Sequence, residues 1–437
     1  MLPERIFEWT WDMANTTAAN AGTSTDTSRS NAVDPVIARR DRDMTLNYPR
    51  VGVVMAEGRG CELTDTNGKR YLDLFSGFGA TILGHCHPDL VTAATEQAAR
   101  LWHVGNALDT EPQTMLAERV ARHGFGGCSY FCHSGSDANE AAFKLARLYG
   151  RRDGGDRYKV IATGRAFHGR GFAAMVATSG DKARRGYQPF LDGFSHVPYN
   201  DLAAMEHAID GQTVAVIVEP IQGEGGVHVP DDRYLPGLRA LCDQHDLLLI
   251  ADEVWTGCGR TGRWFGHQHW EVRPDIMTLG KAVGCGLAVA VMCADQRIAD
   301  LFSVDSYGGV PHATTLGGNC ISMAVSARMF DVVERDGLVG RAAALGEHVA
   351  AALRDRAGNK LPIQQVRGRG LFIGIALDPA YQPTATQVVR AALDRGILLG
   401  SAGGRVLRIA PPLVVSEGEL DRGVELIAAL LSSRAVG

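Results

Sequence analysis

The stretch LLLIADEVWTGCGRTGRWFGHQHWEVRPDIMTLGKAVG, residues 247–284, decides the fold. It opens with an apolar run, Leu247 to Ala251, that reads as a buried parallel strand. Asp252 and Glu253 stand where that strand ends. Ligands of open α/β sheets bind outside the carboxyl ends of their strands. A second apolar run, Ile276 to Leu279, delivers Lys281 directly after Gly280. A lysine framed by small residues can form an imine with an aldehyde cofactor. An acid such as Asp252 can partner a pyridinium nitrogen. The same two residues also read as a helix cap and a solvated charge, so the rest of the chain has to decide between them.

Upstream, strand and helix alternate. Ser129 to Phe131, Val160 to Ala162 and Val214 to Val218 read as strands, and 136–149 and 231–244 as helices. Such alternation predicts a mostly parallel sheet covered by helices. Before it, 51–56, 61–65 and Tyr71 to Phe75 read as an antiparallel meander with a turn at Thr66-Asn67-Gly68-Lys69. Helices follow from Pro88 to about Trp102 and over about 111–122. After Leu316 the pattern changes to a long helical region over about 320–357 and a strand pair at 364–377. A helix at 385–395, a strand at 405–408 and a last helix from about Ser416 complete it. The expected organisation is a disordered head over 1–45 and a small domain formed by 46–85 with 321–437. A large domain over 86–320 lies between them.

Composition narrows the function. The chain has 437 residues, 45% hydrophobic and 21% charged, as a large soluble enzyme would. A net charge of −5 offers no footprint for nucleic acid. No stretch reaches the roughly 18 apolar residues of a membrane span. The start, MLPERIFEWTWDM, lacks the apolar core of a secretory signal. Nine scattered cysteines contain no C-x-x-C pair, which points to reduced thiols in the cytoplasm and to no zinc site. His85 and His87 have no third ligand nearby, so no metal is expected. Residues 15–37, rich in Ser, Thr, Asn and Ala, carry too little apolar surface to order themselves.

Five further motifs carry chemistry. Cys132-His133-Ser134-Gly135-Ser136-Asp137 follows a strand and opens a helix. Its amides, the helix dipole and the Ser136 hydroxyl suit a phosphate. It also reads as an ordinary N-cap on Ser134. Phe167-His168-Gly169-Arg170 can stack on a flat ring and take a carboxylate. Val218-Glu219-Pro220-Ile221-Gln222-Gly223-Glu224 places two acids in a glycine-rich loop. His312-Ala313-Thr314-Thr315-Leu316-Gly317-Gly318-Asn319 offers hydroxyl donors. Arg405-Val406-Leu407-Arg408 sets an arginine in an apolar strand, which is costly unless paired. Taken alone, each of these is also a capping turn, a polar loop or an edge strand.

Together and in order, SGSDANEAAFKLAR, FHGR, VEPIQGEGG, ADEV, GRTGRWF, PDIMTLGK, TTLGGN and VRGRGL resemble the class III (omega) aminotransferases. These are pyridoxal-phosphate-dependent enzymes of fold type I. The resemblance spans about residues 46–432 and is closest to the acetylornithine and ornithine enzymes. It implies an α/β fold whose large domain has a mostly parallel seven-stranded sheet, beside a small α+β domain. It implies pyridoxal 5'-phosphate as cofactor, with Lys281 bound to it and carrying a proton, and Asp252 paired to its ring nitrogen. Val254 and Phe167 would flank the ring, with His168 and Trp255 beside it. Gly135 and Ser136 would seat the phosphate, joined by Thr315 from the second subunit of a homodimer. Arg170 would grip the substrate α-carboxylate and Arg408 that of 2-oxoglutarate, with Glu224 covering Arg408 when an amino donor is bound.

The implied reaction moves the terminal amino group of an ornithine-like ω-amino acid, N-acetylornithine by preference, to 2-oxoglutarate. Other donors (ornithine, 4-aminobutyrate, a diamine, an amino sugar) or a same-fold aminomutase or epimerase remain alternatives. Two positions depart from the subgroup. Trp255 stands where Gln is usual, and His133 where Asn is common.

Overall fold

The computed structural model describes residues 34–358 and 361–432. Most of the head expected to be disordered, with Phe7, Trp9 and Trp11, lies outside the described residues. The part inside corrects that expectation, because Pro35–Asp43 is a helix. Asp34 caps it by accepting from Val36 N at 2.7 Å, and Pro35 enters where no intrahelical N–H is needed.

The central sheet has seven strands. Across it run Cys128–Cys132, Ala290–Ala294, Ile276–Leu279, Leu248–Asp252, Thr213–Val218, Lys159–Thr163 and Phe194–Val197. Ala290–Ala294 is antiparallel to both neighbours, and the other pairs are parallel. Thr213–Val218, Leu248–Asp252 and Ile276–Leu279 are buried along their whole length, so both sheet faces are covered. The register sets Asp252 against Thr278. Two neighbouring strands therefore end together, and Asp252 and Lys281 emerge at one edge.

The meander is Met55–Arg59, Glu62–Asp65 and Arg70–Asp73, starting four residues later than expected from 51 because Val51 to Val54 make no ladder. Its last strand is joined in parallel by Ile397–Leu398, with Ile397 opposite Leu72. A second four-stranded sheet holds Ile363–Arg369, Phe372–Leu377, Val406–Ile409 and Gly400–Ala402. The long helical region is two helices, Cys320–Arg335 and Leu338–Gly358, broken where Gly337 takes φ 61°. Leu72 and Leu74 share one apolar cluster with Ile397, Val424 and Ile427, so both ends of the chain build the same core. The two tempting histidines have local partners. His85 Nε2 lies 2.8 Å from Asp73, and His87 Nδ1 accepts from Asp89 N at 3.3 Å.

Candidate active site

A cleft of about 340 Å³ opens at the sheet edge. Asp252 at its strand end, and Val254 and Lys281 in the turns that follow two neighbouring strands, line one wall, Phe167 to Arg170 another, and His133 to Ser136 a third. Lys281 follows Gly280 and holds φ 45°, a strained backbone angle of the kind found at functional sites. A Cβ on Gly280 would lie 3.1 Å from Gly135 Cα, so the lysine turn and the 135 turn pack backbone to backbone. A Cβ on Gly135 would lie 2.7 Å from Val254 Cγ2. Only glycine admits the valine there. Burial pulls the Lys281 pKa below the ordinary lysine value, against the opposing pull of Glu224 and Asp252.

Asp252 is 2% exposed and held from three sides. His168 Nδ1 lies 2.7 Å from Oδ2, Asn139 Nδ2 donates to Oδ2 at 2.8 Å, and Val254 N donates to Oδ1 at 3.1 Å. Asn139 also donates to His168 O at 2.7 Å and accepts from Thr278 Oγ1 at 2.7 Å, so its amide orientation is fixed. His168 stands behind Asp252 as well as along the cleft wall.

Ser134 caps the helix Gly135–Arg151, accepting from Asp137 N at 3.3 Å. Gly135 and Ser136, at the start of that helix, line the cleft, where an anion seat requires a helix N-terminus. Ser136 Oγ accepts from Arg170 N at 3.1 Å and Gly171 N at 2.8 Å, which ties the 167–170 loop to the helix start and leaves the hydroxyl proton free to donate. Phe167 is positioned by Glu219, whose Oε1 accepts from Phe167 N at 3.0 Å and whose Oε2 accepts from Gly223 N at 2.9 Å. Burial pushes the Glu219 pKa up to about 7. Arg170 is exposed, with its guanidinium 5.4 Å from the Phe167 ring centre.

Glu224 and Arg408 form a buried ion pair at 3.0 Å between Oε1 and Nη1. Neither lines the cleft. Trp255 packs with them and does not itself line the cleft. Its Nε1 donates to Glu224 Oε1 at 3.0 Å, the Arg408 guanidinium lies 4.2 Å over its ring, and Lys281 Nζ lies 4.7 Å from the same ring. Phe372 stacks on the indole at 5.1 Å. Thr315 is exposed and lies outside the cleft of its own chain. His133 Nδ1 sits 3.1 Å from Thr314 Oγ1.

Three residues here had no role in the sequence reading: Asn139, Glu219 as a backbone anchor, and Phe372. Asn139 carried the one available signal, an amide on the apolar face of a helix that follows a strand. A donor turn for a phosphate, a walled flat space, a pre-held carboxylate and a buried amine fit pyridoxal phosphate. A fold and cleft of this kind define an enzyme that works through that aldehyde cofactor.

Known proteins agree. A family model for Aminotransferase class-III matches residues 44–431. The acetylornithine aminotransferase of Neisseria meningitidis serogroup B is 39% identical over 393 residues, covering 90% of this chain and 98% of its own. Acetylornithine aminotransferase 1 of Bordetella pertussis is 41% identical over 386 residues, covering 88% and 96%. Among solved structures, the ornithine aminotransferase of Toxoplasma gondii superposes with a TM-score of 0.85 at 32% identity, covering 91% and 93%. The chain belongs to the class III aminotransferases and is a pyridoxal-phosphate-dependent enzyme. Its substrates are accordingly an amino donor and a keto acid. No helix among the described residues is long and apolar enough to cross a membrane.

Proposed function

We propose that this enzyme moves the terminal amino group of N-acetylornithine to 2-oxoglutarate, releasing a semialdehyde and glutamate. The observation that carries the reading is the buried Glu224–Arg408 pair behind Lys281, with Arg170 exposed at the cleft. Two arginines at different depths can take the carboxylates of two unlike substrates. The carboxylate of Glu224 hides the deeper one when a donor has nothing to offer it, which avoids a bare buried cation. The similarity to the acetylornithine aminotransferases of Neisseria meningitidis and Bordetella pertussis supports the donor.

In this reading Arg170 takes the donor's α-carboxylate and directs its far amino group into the cleft, toward the aldehyde that Lys281 would hold. Burial lowers the Lys281 pKa, which favours the neutral amine; Lys281 would hold the cofactor's aldehyde and would serve as the proton carrier beside it. Bound pyridoxal phosphate supplies the electron-withdrawing ring. Asp252, oriented by His168 and Asn139, holds the ring-nitrogen proton. Val254 and Phe167 hold the ring between them, while Gly135 and Ser136 bind the phosphate. Arg408 takes the 2-oxoglutarate carboxylate in the second half.

We further propose a homodimer in which Thr315 completes the partner's phosphate seat. Its exposure and the uncovered Trp102, Leu287 and Leu316 support this. Nine cysteines without a disulfide fit a cytoplasmic site of action.

The test is a single half-reaction. The cofactor-loaded protein is mixed with N-acetylornithine, ornithine, 4-aminobutyrate or putrescine without acceptor, and the cofactor's visible absorbance is followed. N-acetylornithine is expected to bleach it fastest. Bleaching only by a donor that lacks an α-carboxylate would sink the acetylornithine reading.

A further inference from the structure

The Arg408 side chain is wholly buried, yet it is poorly satisfied. Its Nε, Nη1 and Nη2 have no aligned hydrogen-bond acceptor, so the 3.0 Å contact with Glu224 is charge against charge alone. Glu224 Oε2 is likewise buried without a donor. A buried guanidinium with open donors is a place for an incoming carboxylate. What stands in the way is one oxygen, Glu224 Oε1, which serves two partners: Arg408 Nη1 and Trp255 Nε1, each at 3.0 Å.

The indole cannot follow that oxygen. A Cβ on Gly79 would lie 2.6 Å from Trp255 Cζ3, and one on Gly223 would lie 2.6 Å from Trp255 Cδ1. Two glycines are thus cut to the outline of the ring, and Phe372 stacks on it with an interplanar angle of 12°. Drawing Oε1 away from Arg408 therefore also breaks its bond to a fixed N–H. The indole holds the guanidinium as well, 4.2 Å over its ring, so an incoming carboxylate can meet Arg408 only at the edge.

We propose that Trp255 latches Glu224 over Arg408, making entry of the oxo-acid carboxylate, and with it the second half of transamination, the slow step. The proposal rests on the reading of Arg408 as the acceptor's carboxylate site. Trp255 acts through Glu224 and is a positioning residue. It sets which carboxylates pass, favouring donors that leave the pair undisturbed over acids that must displace it.

Glutarate, which carries two carboxylates and cannot react, is the probe. In a crystal of the wild-type holoenzyme soaked with glutarate, a carboxylate is expected on Arg408 with Glu224 off both Arg408 and Trp255. Glutarate on Arg408 with Glu224 still bonded to Trp255, or no glutarate on Arg408, would overturn the latch. By calorimetry, Trp255→Phe, which keeps an aromatic ring and loses the donor, should bind glutarate about tenfold or more tightly than wild type, given the usual strength of a bond to a charged group. Adding Arg408→Gln should abolish that gain. In Trp255→Phe with Arg408 intact, the KM for 2-oxoglutarate should fall by a similar factor. An unchanged glutarate affinity would also overturn the latch. If both glutarate results hold but no ω-amino acid bleaches the cofactor, the latch stands and the proposed donor reaction fails.

Discussion

His168 Nδ1 lies 2.7 Å from Asp252 Oδ2, and the other ring nitrogen of His168 is buried without a partner. An ionised carboxylate can only accept, so the shared proton belongs on Nδ1. His168 thereby orients the acid from behind. His168→Ala and Asn139→Ala are each expected to weaken cofactor binding roughly 10- to 100-fold, one charge-assisted bond's worth. Equilibrium dialysis of the cofactor reads this. Affinity unchanged in both variants would show that Asp252 needs no support.

Gly135→Ala tests the packing of the phosphate turn. The added methyl would sit 2.7 Å from Val254 Cγ2. Overpacking of this kind costs about 1–3 kcal/mol. Denaturant unfolding should show that loss, and cofactor affinity should fall with it because Val254 is pushed toward the ring space. A variant with full stability and affinity would mean that the turn yields freely.

Lys281→Ala should remove turnover, since no other amine lines the cleft. Loss of the proton carrier alone lowers rates about 10²- to 10⁴-fold. Steady-state assay with the best donor measures it. Residual activity above one hundredth of wild type would reassign the role.

Glu219 predicts a pH dependence of stability. Burial raises its pKa from 4.5 to about 7 in the folded chain. Between those values the folded protein keeps a proton that the unfolded chain has released. The unfolded state binds fewer protons there, so stability falls as pH rises from about 4.5 to 7 and levels off above. In Glu219→Gln that part of the slope should vanish in urea titrations made across the interval. An identical slope in both proteins would place the titration elsewhere.

The central strands were legible because parallel strands buried on both faces are written as continuous apolar runs, as in Leu247 to Ala251 and Val214 to Val218. Phe194–Val197 and Ala290–Ala294 were not. The first carries Ser195 and His196 on an edge. The second, AVMCA, has one β-branched residue in five and reads as easily as helix. Asp252 and Lys281 were legible as polar residues at the ends of apolar runs. The place of Trp255 was not. Its acceptor, Glu224, lies 31 residues upstream on a loop, and only the fold brings them together. The same holds for Asn139 and Asp252, 113 residues apart.

The parallel pairing of Ile397 with Leu72 has a consequence for biosynthesis. A ribosome delivers the meander early and its fourth strand close to the end. Until then Arg70–Asp73 presents an unsatisfied edge, with Leu72 N and Leu74 N waiting for Gly396 O and Leu398 O. The nascent chain therefore carries a sticky border through most of its translation, and ribosome stalling before Ile397 should yield a species that aggregates or recruits chaperones.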